Sequence, residues 1–273
     1  MGSRLQDKKA LITGGASGIA RATALLFAHE GADVCVADRN LPHAEQVATE
    51  IRGLGRKAIA HQVDVSDEAQ VEAMVARAVR DFGHIDIVLC AAGVSHARYG
   101  LPGGEQFEFR PFTEKPLAEW HKVMNINLDG VFLTCRAAAR EMIKAGRGGR
   151  IINISSIAAF SSPGVSEYSV SKAGVLNLTR GLPVELAPYN VTANAICPGV
   201  IRMPMGQPFT AGRETPQSAT NPNDPMAPML NRILLPRFGE PRDVANTALF
   251  LASEEGSYFT GAFLNPDGGY LAT

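Results

Sequence analysis

A doubly wound α/β fold, with a parallel sheet of about seven strands and helices on both faces, is predicted for this chain of 273 residues. Three observations predict it. Short β-branched runs alternate with helix-length amphipathic segments along most of the sequence. Several of the runs are apolar throughout, as strands buried on both faces of a parallel sheet must be. A glycine-rich turn, TGGASGIA, starting at Thr13 and ending at Ala20, joins the first strand to the first helix.

In chain order, the strands are expected at residues 10–13, 33–38, 57–61, 85–90, 150–155, 191–196 and 262–265. The helices between them are expected at 19–29, 42–54, 67–82, 127–145, 168–186 and 243–253. Two segments break the alternation. Residues 94–115 form a long polar and aromatic connection, and 203–236 is proline-rich with little periodicity. Both follow the carboxyl ends of strands, the side on which open α/β sheets bind ligands. They are therefore expected to be substrate loops on a single domain spanning 1–273.

Composition narrows the function classes. Hydrophobic residues make up 45% of the chain, enough for a large core. The net charge of −1 gives no case for nucleic acid or for an anionic membrane surface. Cys35, Cys90, Cys135 and Cys197 are widely spaced, so they predict buried thiols in a reducing compartment. Neither a membrane span nor a signal-peptide core is present in the sequence, and Gln6 spoils the myristoylation pattern after Gly2. A cytoplasmic protein is expected.

Gly14, Gly15 and Gly18 let backbone N–H groups approach a phosphate at a helix N-terminus. Alone, such a turn needs no ligand. Asp38, at the end of the second strand and about twenty residues further on, strengthens the signal, because a carboxylate there holds a ribose diol. It would repel a 2′-phosphate, so NAD is favoured over NADP, with Arg39 next door softening the preference. Asp64, closing the third strand, reads equally as a helix cap or as an adenine contact. A P-loop pattern is absent from the sequence. A methyltransferase using S-adenosylmethionine stays open at this point.

Tyr168 and Lys172, in YSVSK, lie one turn apart on a single helix face. A fixed ammonium is expected to lower the phenol pKa, letting it exchange a proton with a carbonyl or alcohol oxygen. The plain alternative is an amphipathic helix with a snorkelling lysine. Ser155 and Ser156 end the fifth strand, where a hydroxyl either meets a substrate oxygen or caps the chain.

Together, the glycine turn, Asp38, the strand-end serines and YSVSK resemble the short-chain dehydrogenase/reductase family, whose fold is Rossmann-like. Asn127-Leu128-Asp129-Gly130, Cys197-Pro198-Gly199 and Pro266-Asp267-Gly268-Gly269 extend the resemblance over nearly the whole chain in the right order. YSVSK has no use in a methyltransferase, which removes that reading. The resemblance implies that Tyr168 is the general acid or base. Lys172 would bind the nicotinamide ribose, Ser156 would polarise the substrate oxygen, and Asn127 would hold a water. It also places the cofactor against Gly14, Ser17, Gly18, Ile19, Asp38, Asp64, Val65, Ala91, Gly93, Tyr168, Lys172, Pro198, Gly199 and Ile201. No metal is required, the substrate is a secondary alcohol or ketone, and a homotetramer is expected. Sugar derivatives, polyols, hydroxy acids and 3-oxoacyl groups all fit this description.

The chain departs from the family pattern in several places. Cys90-Ala91-Ala92-Gly93 replaces the usual Asn-Asn-Ala-Gly, which removes two bracing amides. Counting forward from the strand end selects Ser156, whereas counting back from Tyr168 selects Ser155. Met203 stands where a threonine often anchors the nicotinamide amide, leaving that task to the backbone around Val200 and Ile201. Pro183 is expected to bend the catalytic helix beyond Lys172. Ala20 replaces the last glycine of the turn, a change tolerated because that position serves helix–strand packing.

In the two loops, Met203, Met205, Phe209, Met226 and Met229 would give an apolar lining. His96, Arg98, Arg110, Arg202 and Arg213 are candidates for meeting an anionic substrate group, although solvated loop arginines are the commoner case. Two non-enzymatic readings stand beside the oxidoreductase. One is a catalytically silent NAD(P)-binding sensor, motivated by Ala91 and Met203. The other is an interaction scaffold, for which the sequence has no docking motif.

Overall fold

The computed structural model describes residues 3–97, 99, 111–161, 166–218, 224 and 226–273. Seven parallel strands run β1 (Lys9–Thr13), β2 (Asp33–Asp38), β3 (Ala58–Gln62), β4 (Ile87–Cys90), β5 (Gly149–Ile154), β6 (Val191–Ile196) and β7 (Phe263–Leu264). Their order across the sheet is β3-β2-β1-β4-β5-β6-β7. The chain therefore winds outward from β1 in one direction and, after β3, crosses back to build the other half from β4. The switch point lies between β1 and β4, and it opens a crevice at the strands' carboxyl ends.

On one face lie α1 (Gly18–His29), α2 (Leu41–Gly53) and α9 (Pro241–Ala252). They bury Phe27, Val47, Ile51, Val244 and Leu251 against Ile12, Val34, Val36 and Ile152. The opposite face carries α3 (Glu68–Phe82), α5 (Gly130–Ala145) and α6 (Glu167–Leu186). Met74, Ala78, Cys135, Met142 and Val175 from these helices pack on Leu11, Cys35, Val88 and Ile151. Alternating side chains of each strand feed the two cores, so the strands are apolar on both faces, as the sequence indicates.

Polar residues set the helix starts. Asn40 accepts from the N–H of His43, Asp67 from Gln70 and Ser166 from Ser169. At the amino edge of the sheet, Asp33 accepts from Lys9 Nζ at 2.6 Å and from the Lys57 N–H at 3.0 Å. Arg56 lies 3.0 Å from the same carboxylate. These bonds hold its carboxyl below the usual range despite the opposing effect of burial.

The structure departs from the sequence reading around α4 and within 203–236. The helix expected at 127–145 begins earlier, as α4 (Leu117–Met124), and continues through a wider turn at Asn125–Asp129 into α5. Pro111 and Pro116 precede that start, and the sequence reading assigns no element to residues 116–126. Within 203–236 lie the one-turn helices α7 (Gln207–Thr210) and α8 (Ala227–Leu230), each with proline in its first turn. Proline is accepted there because the missing N–H has no intrahelical partner anyway. Helix α6 contains Pro183 and ends at Leu186, where the sequence places its end. Among the described residues, no helix is long and apolar enough to cross a membrane.

Candidate active site

The glycine turn sits at the switch point. Gly14 has φ +70°, and a Cβ on it would stand 2.9 Å from the Ala92 backbone. Gly18, with φ +54°, opens α1, and its N-cap Ser17 makes no side-chain capping bond. The first-turn N–H groups of α1 (Ile19 among them) thus have no side-chain cap, in a conformation that disfavours a side chain at Gly18. Ala20 is buried in the core beside them and lies within the helix. Asp38 is wired to the turn, since its Oδ2 accepts from the Ala16 N–H at 3.1 Å and its Oδ1 from Asn40 at 2.9 Å. A cradle that any Cβ would fill, with a carboxylate fixed beside it, fits a dinucleotide.

The end of β4, where the two amides of the family pattern are missing, is held from β1. Thr13 Oγ1 accepts from the N–H groups of Ala91 at 3.2 Å and Ala92 at 3.4 Å. It donates to the Leu89 carbonyl at 3.4 Å. A hydroxyl on β1 thereby braces the end of β4. Sequence reading missed Thr13, although a polar residue ending an apolar strand is a signal that could have found it. Behind it, Cys90 and Cys135 lie with their sulfurs 3.8 Å apart, and Cys135 donates to Asn153. All four cysteines are buried and free.

The wider turn between α4 and α5 carries Asn127 inward to zero exposure. Asn127 Oδ1 accepts from the Val94 N–H at 2.8 Å, and Nδ2 donates to the Val94 carbonyl at 2.9 Å. Nδ2 also reaches Ser171 Oγ at 3.2 Å, and that hydroxyl donates to the Tyr168 carbonyl at 2.7 Å. Ser171 is a second residue that the sequence did not single out. Gly93 separates Asn127 from the lysine. A Cβ there would lie 3.2 Å from Asn127 Oδ1 and 3.5 Å from Lys172 Nζ.

Lys172 is buried, and its Nζ donates to the Ile154 carbonyl at 2.9 Å. Burial pulls its pKa down to about 8. The ammonium stands 5.7 Å from the centre of the Tyr168 ring. The expected lowering of the phenol does not occur in this structure: desolvation pushes the Tyr168 pKa up, opposed only by a hydrogen bond with the Ser156 side chain. Ser155 is engaged elsewhere, with its Oγ donating to the Lys172 carbonyl at 2.8 Å. Ser156 Oγ accepts from the Ala158 N–H at 3.1 Å while facing Tyr168.

Other sequence-selected residues fall around this centre. Asp64 Oδ1 accepts from the N–H and hydroxyl of Ser66, while Asp67 is the residue that caps α3, so the helix-cap reading of Asp64 is set aside. Val65 packs its side chain on Gly130. Pro198 and Gly199 are pinned by bonds from Ile157 and to Pro266. Ile201 bridges to Gly239.

The proposed anion contacts fare differently. Arg202 donates to the carbonyls of Arg213 and Glu214, and Arg213 to Phe209 and Asp224. Both arginines are thereby used inside the loop, in place of either the anion contact or the solvated side chain that the sequence left open. Arg98 and Arg110 lie outside the described residues, and His96 packs edge-on against Tyr99.

The sequence profile described as Enoyl-(Acyl carrier protein) reductase matches residues 14–271. The 3-oxoacyl-[acyl-carrier-protein] reductase FabG of Thermotoga maritima is 37% identical, over 98% of this chain and 99% of that one. The chain belongs to the short-chain dehydrogenase/reductase family. A second relative in this family is the 2,5-dichloro-2,5-cyclohexadiene-1,4-diol dehydrogenase LinX of Sphingobium indicum. It is 38% identical over 99% of this chain and 98% of its own length. The fold also matches 7α-hydroxysteroid dehydrogenase, solved with NADH and 7-oxo glycochenodeoxycholic acid. That match has TM-score 0.83 and 32% identity, and it covers 97% of this chain and 95% of that one.

As a short-chain dehydrogenase/reductase, the protein is an oxidoreductase that passes hydride between a nicotinamide cofactor and a secondary alcohol or ketone. The hydrogen-bonding of the two serines generates a direct prediction. Ser156→Ala is expected to lower kcat on the order of 10²-fold, as loss of an oxyanion-type donor does. Ser155→Ala is expected to cost less activity. Steady-state kinetics on both variants read the difference, and a greater loss at Ser155 would reverse the assignment.

Proposed function

We propose that the protein is an NAD-dependent dehydrogenase of secondary alcohols carried on an apolar, ring-containing body. The observation that carries the substrate class is the wall following Ser156. Ile157, Leu230, Ile233, Phe238 and Tyr270 form one buried apolar cluster, with Phe209, Met226 and Met229 packed on it. Arg202 and Arg213 are held by loop carbonyls and Asp224, and Arg232 by Ser161 and the Thr273 carbonyl, so these cations are engaged within the protein. LinX and 7α-hydroxysteroid dehydrogenase act, by their names, on ring alcohols, which supports the same choice.

In this reading Tyr168 gives its proton to the ketone oxygen, or takes one from the alcohol, while Ser156 donates a hydrogen bond to that oxygen. The raised phenol pKa keeps the acid form filled at neutral pH, so ketone reduction meets a proton donor ready in place. Lys172, held by Ile154, has N–H groups left for ribose hydroxyls, and Asn127 fixes the strand end beside it. Bound nicotinamide supplies or accepts the hydride. Asp38, fixed by two backbone N–H groups, receives the adenosine ribose diol and repels a 2′-phosphate, so NAD is the cofactor of this reading.

The reading keeps residues 94–115 and 203–236 as the substrate loops, of which 98, 100–110, 219–223 and 225 lie outside the described residues. It also takes the protein to be a homotetramer in the cytoplasm, with exposed Leu117, Phe132 and Val184 covered between copies. A solution mass of four chains is the expected sedimentation result, and a monomer would contradict it.

Initial rates with NAD and NADP over cyclic alcohols, sugars and 3-oxoacyl thioesters test the rest. The expected order puts ring alcohols first. NAD is preferred at least about tenfold, the ratio that 1.4 kcal/mol of charge repulsion gives. Asp38→Ser is expected to shrink that ratio. Preference for NADP, or for sugars, would overturn the corresponding part.

A further inference from the structure

Gly18 needs open space in front of it for a phosphate to approach the start of α1, and one side chain fills that space. Met203 Sδ lies 3.1 Å from the point a Cβ on Gly18 would occupy, and Met203 Cβ lies 3.8 Å from it. Apart from Gly18, its two chain neighbours and the nearby backbone of α1, no other atom of the described residues comes within 4 Å of that point. The thioether is half-buried and packs on the core beneath α1. The first turn of α1 has neither a side-chain cap nor an acidic residue. It therefore favours an anion over the apolar group now lying on it.

The backbone of Met203 is held. On one side, Arg202 donates its N–H to the Gly239 carbonyl at 2.8 Å, and Gly239 donates to Val200 at 3.0 Å. On the other, the Gly206 N–H closes a turn onto the Met203 carbonyl at 2.8 Å. Gly206 sits so close to the Ile201 carbonyl that a Cβ there would collide with it. A chain pinned on both sides leaves the side chain as the part that moves. Methionine is suited to this, being unbranched with three rotatable bonds.

We propose that the Met203 side chain is a gate over the pyrophosphate cradle, which the dinucleotide must displace before it can seat. This rests on the nicotinamide reading of the site. A covering rotamer reduces the fraction of molecules competent to bind, so the apparent association rate falls by that fraction. Once the rotamer has swung, the thioether is free to lie along the bound cofactor, and dissociation is little affected. Met203 is in this sense a positioning residue. It explains how a side chain of this size is accommodated where a small hydroxyl residue is usual.

Stopped-flow binding of NADH, followed by the fluorescence of the reduced nicotinamide, tests the gate on the wild type, Met203→Ala and Met203→Leu. Met203→Ala is expected to raise the association rate about three- to tenfold with dissociation changed by less than about twofold. Met203→Leu keeps the cover and is expected to bind no faster than the wild type, and it controls for loss of packing. An unchanged or slower association in Met203→Ala, or a change confined to dissociation, would overturn the gate alone. Absence of NADH binding by the wild type would overturn the nicotinamide reading and the gate with it.

Discussion

The ammonium of Lys172 is the group around which the carboxyl edge of the sheet is arranged. A buried cation is costly unless hydrogen-bonded, and here its acceptor within the protein is the last carbonyl of β5. That bond fixes how far α6 can slide along the strand. Ser155 ties the backbone of the same residue to the strand end, so the helix is held at Lys172 by two independent bonds. A Cβ on Gly93 would press on Asn127 Oδ1 at 3.2 Å, and Asn127 needs the wider turn before α5 to occupy that side of the lysine. The position of Tyr168 follows, one turn earlier on α6, with its carbonyl held by Ser171.

Burial shapes the chemistry as well as the geometry. It lowers the lysine to about 8 and raises the tyrosine, which sets their proton affinities further apart than in water. The sequence argument of a cation depressing a phenol omitted the desolvation of both groups. In this structure desolvation outweighs a charge 5.7 Å from the ring centre. A neutral tyrosine beside a hydrogen-bonding serine is the form that protonates a ketone oxygen.

Much of the architecture was legible in the sequence because buried parallel strands leave uninterrupted apolar runs. The bounds of β2 and β6 coincide with the predicted ones, and TGGASGIA marked the switch point. Helix α4 was hidden behind two prolines, and the one-turn helices α7 and α8 start on residues that read as breakers. At the site, residue types were readable but their partners were not. Neither the Thr13 bond to the end of β4 nor the loop carbonyls that occupy Arg202 could be seen without the fold. The choice between Ser155 and Ser156 had the same obstacle. A count along the chain fixes spacing, whereas the hydroxyl partners depend on how α6 docks on β5.

The central claim is that the phenol of Tyr168, set in place by Lys172, moves the proton while the dinucleotide seats independently. Single-turnover reduction of a cyclic ketone by bound NADH, comparing wild type with Tyr168→Phe, tests it most directly. The account predicts that NADH still binds the variant within a few-fold, while the rate falls by about 10²-fold or more. A Tyr168→Phe enzyme that reduces the ketone at close to the wild-type rate would contradict it.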